Sequence, residues 1–251
     1  MSLPTPSPNS RAGIALGIYN HLDEVITRHF AGLTKDKYPP CTSGCSHCCN
    51  HNFLWNSLEL ALALQAHSFL HPNNLHRLAY RAEKSIRYAT KEYPFFLGQF
   101  VEWSRRGEEP PGREEMAEYI GKLNGVHDLP CLFLAEDRCL IYPWRPLICR
   151  AYGWAEIFVS DLSSFITPNC QPLTAAPERN RYLTLIPEFS GLYDRINRLS
   201  SATVNTNLPL LAWFHFHADV RNGEWLEKTY LLTFIEDYTA NAPASPLPRK
   251  R

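Results

Sequence analysis

The eight cysteines of this chain fall into two blocks, and no other feature limits its fold as tightly. The first block is Cys41-Thr42-Ser43-Gly44-Cys45-Ser46-His47-Cys48-Cys49. The second holds Cys131, Cys139, Cys149 and Cys170. Thiolates two or three residues apart on a tight loop can converge on one ion, and Gly44 lets such a loop turn sharply. Soft sulfur ligands select zinc, copper(I) or an iron–sulfur cluster over hard cations such as magnesium.

Eight thiols read as disulfides or as metal ligands according to compartment. Met1 to Arg11 is polar and proline-rich, without the charged leader and apolar run of a secretory signal. The expectation is a cytoplasmic protein whose thiols stay reduced, so metal ligation is the preferred reading. With 251 residues the chain can build a core without disulfide staples. Charged residues make up 20% and the formal net charge is +0, which argues against a nucleic-acid partner and against a polybasic membrane contact. No apolar run approaches the ~18–20 residues that span a bilayer.

Spacing predicts a mainly α protein: a single helical domain with irregular cysteine-bearing loops and a small β-hairpin. Ile14, Ile18, Leu22, Val25, Ile26, Phe30 and Leu33 recur at helical steps on one face. Asn56 or Ser57 is a cap for a helix to about Phe69, with Leu60 and Leu64 on its buried side. Asn74 is a cap for a helix to about Lys91, with Leu75, Leu78, Ala82 and Ile86 inward and Arg77, Arg81, Lys84 and Arg87 outward. Glu108 to Gly112 reads as a loop between two shorter helices. Leu132-Phe133-Leu134 and Leu140-Ile141-Tyr142 read as strands around a Glu136-Asp137-Arg138 turn. Pro177 to Tyr238 reads as helical, with Leu231, Ile235 and Tyr238 on one face. The expected organisation is a flexible lead over 1–11, one metal-binding domain over 12–240 and a flexible tail over 241–251.

The cysteine count admits several centres. Two Cys₄ zinc sites would use every thiol, one cubane cluster would need four, and a bridged two-metal cluster would use six or more. Cys48 and Cys49 complicate a single tetrahedral site, because adjacent side chains tend to point apart.

The two blocks together resemble the CxxCxxCC proteins, the YkgJ-type cysteine cluster family of zinc- or iron-chelating domains. The first block resembles the family signature. The second, Cys131-Leu-Phe-Leu, Asp137-Arg138-Cys139-Leu-Ile-Tyr142 and Arg145-Pro146-Leu-Ile-Cys149-Arg150-Ala-Tyr152, is similar to the family's Cys-Pro-Phe-Leu, Cys-x-Ile-Tyr, Arg-Pro and Cys-Arg pattern. The resemblance covers about residues 41–170. It departs in a first gap of three residues and in a proline that precedes Cys131. It implies a zinc or iron centre, an iron–sulfur cluster included, and a distant relation to flagellin lysine N-methylases, which offers an enzymatic reading.

The first-choice ligands are Cys41, Cys45, Cys48, Cys139 and Cys149. The roles of Cys49, Cys131 and Cys170 depend on whether one centre or two are built. Tyr142, Arg145 and Arg150 are expected around the ligands: the arginines to offset thiolate charge, hold an anion, or pair with carboxylates and loop carbonyls. His47 and His51 flank the vicinal pair as alternative ligands. His215 and His217 diverge on a helix and make a poor shared site. Glu59 is read as favouring a helix dipole, and the basic stripe as a solvated face or the seat of an acidic protein partner. There is no P-loop, Rossmann fingerprint, nucleophile elbow or His-Glu-x-x-His. Three functions remain: an iron-dependent redox or group-transfer enzyme, a structural-zinc interaction module, and a metal carrier.

Overall fold

The computed structural model describes residues 6–30, 46–71, 75–105, 113–123, 125–152, 157–159, 164–166, 187–200 and 208–217. Cys41, Cys45, Cys170, the Glu108–Gly112 loop and the Leu231/Ile235/Tyr238 stripe lie outside the described residues.

Helix α1 (Arg11–Phe30) opens on a side-chain cap. The Ser10 hydroxyl accepts from the Gly13 amide at 3.0 Å and donates to the Ser7 carbonyl at 2.7 Å. Glycine is needed at position 13, where a Cβ would stand 2.0 Å from the Ser7 oxygen. Ile18, Leu22 and Ile26 are buried along the expected face.

Helix α2 (Ser57–Leu70) is capped by the Asn56 side chain, which accepts from the Glu59 amide at 2.9 Å. It is apolar on every side, the pattern of a helix buried all round. Leu60, Ala63 and Leu64 enter one hydrophobic core, and Leu58, Ala61 and Leu62 enter another. This helix is therefore the partition between the two cores.

The first core is closed by α3 (Leu75–Glu92), α4 (Pro94–Arg105), α5 (Arg113–Leu123) and, from late in the chain, α8 (Leu210–His217). The second is closed by α1, α6 (Leu147–Ala151) and α7 (Pro187–Ser200). Strand β1 (Leu54–Trp55) pairs antiparallel with β6 (Leu208–Pro209), and β4 (Ile157–Val159) with β5 (Ser164–Ile166). The β1–β6 ladder carries α8 back onto the first core, where the Trp213 indole donates to the Trp55 carbonyl at 2.8 Å.

The hairpin forms, but shorter than expected. Strand β2 (Leu134–Ala135) pairs with β3 (Arg138–Cys139), leaving a two-residue loop. Glu136 and Asp137 both have positive φ, 50° and 56°. Two such residues are the mark of a type I′ turn, whose twist suits a hairpin. Arg138 thus belongs to a strand, not to the turn. On the far side β3 ends at Cys139, and Tyr142, expected in the strand, instead opens a 3₁₀ turn (Tyr142–Trp144) around Pro143, which has no amide to donate.

On α3, Leu78 and Ala82 are buried as expected. Arg81 departs from the predicted basic stripe: its guanidinium donates to the Leu134 carbonyl of the hairpin at 2.8 Å. Among the described residues no helix is long and apolar enough to cross a membrane.

Candidate metal centre

The five described cysteines line one cleft at the junction of the two cores. They come from four local devices. Cys48 and Cys49 sit on a 3₁₀ turn (His47–Asn50). Cys131 precedes the hairpin, Cys139 lies on β3, and Cys149 lies on α6. The blocks are joined through the backbone: the Cys131 amide donates to the Cys49 carbonyl at 2.7 Å. A side-chain contact reinforces this join, from the Ser46 hydroxyl to the Asp137 carboxylate at 3.3 Å.

The vicinal pair does not diverge as expected of neighbours. Cys48 and Cys49 both face the cleft, and their sulfurs share a hydrogen bond. That bond and the Arg145 guanidinium hold Cys48 below the usual thiol range, while Cys49 is held protonated. Burial pushes the Cys131 thiol up to about 12. Burial also raises Cys139, and it raises Cys149 further, helped by the surrounding thiols. A metal binding these sulfurs must displace protons.

Three guanidinium groups stand around the thiols. Arg145 lines the cleft, 3.9 Å over the Tyr142 ring, and donates to the Tyr142 carbonyl at 3.1 Å. Arg150 is 3% exposed and turned away into a network. It pairs with Asp23 of α1, donates to the Arg145 carbonyl at 3.0 Å and to the Pro143 carbonyl, and lies 4.5 Å over the Tyr19 ring. Arg81, absent from the sequence-based set, is the cation whose charge couples to Cys131. His51 lines the cleft beside Tyr152, ring centroids 4.9 Å apart, whereas His47 is exposed. His215 and His217 end α8.

The rest of the cleft is mostly apolar, with Phe53, Trp55, Leu132, Ile141, Leu210 and Leu211 on its walls beside Asn52 and Ser85. Sequence reasoning missed these. The unbroken apolar run from Leu208 to Phe214 was the available signal that this late segment is buried. The cavity is about 60 Å³, room for a few water molecules at about 10–15 Å³ each.

The donor chemistry suits a soft or borderline cation. Among the described residues no three His, Cys, Asp or Glu side chains are already gathered as a ligand set. Residues 40–164 match the CxxCxxCC family, whose description is "Putative zinc- or iron-chelating domain". No curated protein and no solved structure matches the chain.

Proposed function

The chain belongs to the CxxCxxCC family, and from that premise we propose that the cleft between its two cores holds a zinc or iron centre on thiolates drawn from both cysteine blocks. The observation that carries this reading is the convergence of Cys48, Cys49, Cys131, Cys139 and Cys149 on one cleft from four separate backbone segments. Cys48, Cys139 and Cys149 are the described first-choice ligands, and Cys41 and Cys45 of the same block complete the set. Cys49, Cys131 and Cys170 serve a second ion or a bridged cluster. Arg145 and Arg81 offset the thiolate charge, while Arg150 holds the Arg145–Cys149 segment in place.

The lining favours a centre that receives another ligand over one that only staples loops. A structural zinc site is closed and saturated. Here the sulfurs share their cleft with an apolar wall and with Arg145. When bound, the metal would supply Lewis acidity or, as iron, one-electron chemistry. The chain's own residues would seat an apolar body against Trp55 and Leu211 and an anionic group near Arg145. An iron–sulfur-dependent redox or methyl-transfer enzyme is the reading this lining supports best, in the reducing cytoplasm where free thiolates persist.

Anaerobic purification tests it, with a visible spectrum and assays for iron, zinc and acid-labile sulfide. Iron with labile sulfide and broad visible absorption is expected. Colourless protein with stoichiometric zinc would replace the enzymatic reading with structural zinc or metal carriage. A folded chain that takes up neither metal would end the metal reading.

A further inference from the structure

Helix α6 carries Cys149, yet it starts without a cap of its own. Its N-cap residue is Pro146, which makes no side-chain cap hydrogen bond. The missing acceptor comes from another helix. Glu59 of α2 is 1% exposed, and its Oε1 accepts from the Leu147 amide at 2.7 Å and from the Tyr19 hydroxyl at 3.3 Å. Glu59 is itself fixed, because its amide donates to the Asn56 cap. It does not line the cleft, and among the described residues its Oε2 has no partner. A carboxyl buried with one oxygen unpaired is costly, and the arrangement is explained by the work done at Oε1.

Resting on the metal reading above, we propose that Glu59 is a positioning residue for the site: it supplies from α2 the cap that α6 lacks, and so sets where the Cys149 sulfur stands in the cleft. Cys149 lies two residues after the capped amide. Arg150 grips the carbonyls of Pro143 and Arg145 just before the helix. The segment is thus held at its start by α2 and along its length by the Arg150–Asp23 pair with α1. Glu59 acts through Leu147 and does not touch the metal.

The test uses the full chain with Glu59→Gln, Glu59→Asp and Glu59→Leu. Gln keeps an acceptor oxygen at the same reach, Asp keeps the charge but withdraws the oxygen by one methylene, and Leu has no acceptor. Three quantities are read: zinc affinity by chelator competition, hydrogen exchange of the Leu147 amide, and the alkylation rate of Cys149. Glu59→Gln should stay within about threefold of wild type in all three. Glu59→Asp and Glu59→Leu should lose about 10–100-fold in zinc affinity, the usual scale for a residue that orients a ligand. They should also exchange Leu147 faster and change the Cys149 rate. If Glu59→Leu does not fold, the Gln and Asp pair still decides. Gln failing while Asp binds normally would overturn the proposal, since charge and not reach would then matter. Unchanged affinity and exchange in both Asp and Leu would overturn it too. A wild-type chain that binds no metal would instead sink the metal reading, and the exchange and alkylation arms would still judge the cap.

Discussion

The Cys131 amide donates to the Cys49 carbonyl at 2.7 Å, so the two cysteine blocks meet through backbone rather than only through sulfur. The buried interiors of the two cores are built mostly from aliphatic and aromatic side chains, with Cys131 and Cys139 packed against the edge of one and Cys149 against the edge of the other. Removing metal should therefore leave the helices folded, unlike a zinc finger, whose binding energy is its folding energy. Chelation with EDTA should leave far-ultraviolet circular dichroism nearly unchanged and the Cys131 amide protected from exchange. Loss of helicity would show that the metal holds the blocks together.

Two buried groups give opposite pH slopes. Burial raises Glu59 to about 7, so its contribution is complete below its unfolded value near 4.5 and is lost as pH rises through 7. Burial, with His71 and Arg81 nearby, lowers His67 to about 4. Its contribution is complete above 6.5 and is lost as pH falls toward 4. Between about pH 4.5 and 6.5 the slopes oppose, and wild-type stability should be nearly flat. Glu59→Gln should become more stable with rising pH in that window, and His67→Leu less stable. Urea unfolding at half-unit steps checks this, and parallel curves for all three proteins would refute it.

Glu136 occupies a left-handed position without being glycine or asparagine. Glu136→Gly should stabilise the hairpin by about 0.5–1 kcal/mol, whereas Glu136→Val should cost about 1–2 kcal/mol. Thermal unfolding measures both, and a stabilising valine would contradict the turn geometry.

Arg150 satisfies three acceptors with one guanidinium. Arg150→Met should lose about 2–4 kcal/mol, because two carbonyls and a carboxylate lose their donor. Arg150→Lys should recover less than half, since an ammonium cannot reproduce the fork. Asp23→Ala should cost less than Arg150→Met, as the Asp23 side chain is 45% exposed. Equal losses for lysine and methionine would point to packing alone.

Much of this architecture was legible where one local signal sufficed. Asn56 marked the start of α2, and the Leu78–Ala82 spacing marked the buried face of α3. Five of the cysteines singled out in the sequence, Cys48, Cys49, Cys131, Cys139 and Cys149, line the cleft, although their spacing left one centre or two open. The rest depended on tertiary contact. Glu59 near a helix start suggests a dipole effect, and nothing local shows that its oxygen caps a helix 88 residues on. Arg81 repeats at the spacing of its solvated neighbours, and only the hairpin's position turns it inward. The two-residue β1–β6 ladder is too short to leave a pattern. Pro143 was readable but unread: its missing amide argues against a strand running on through Tyr142, where a 3₁₀ turn forms.

X-ray absorption at the zinc or iron edge tests the central claim, that both blocks serve one centre, most directly. The first shell should be dominated by sulfur near about 2.3 Å if zinc is bound. Cys48→Ser and Cys149→Ser, one from each block, should each reduce that same shell by one sulfur. A shell of nitrogen and oxygen, or a sulfur shell untouched by either substitution, would contradict it.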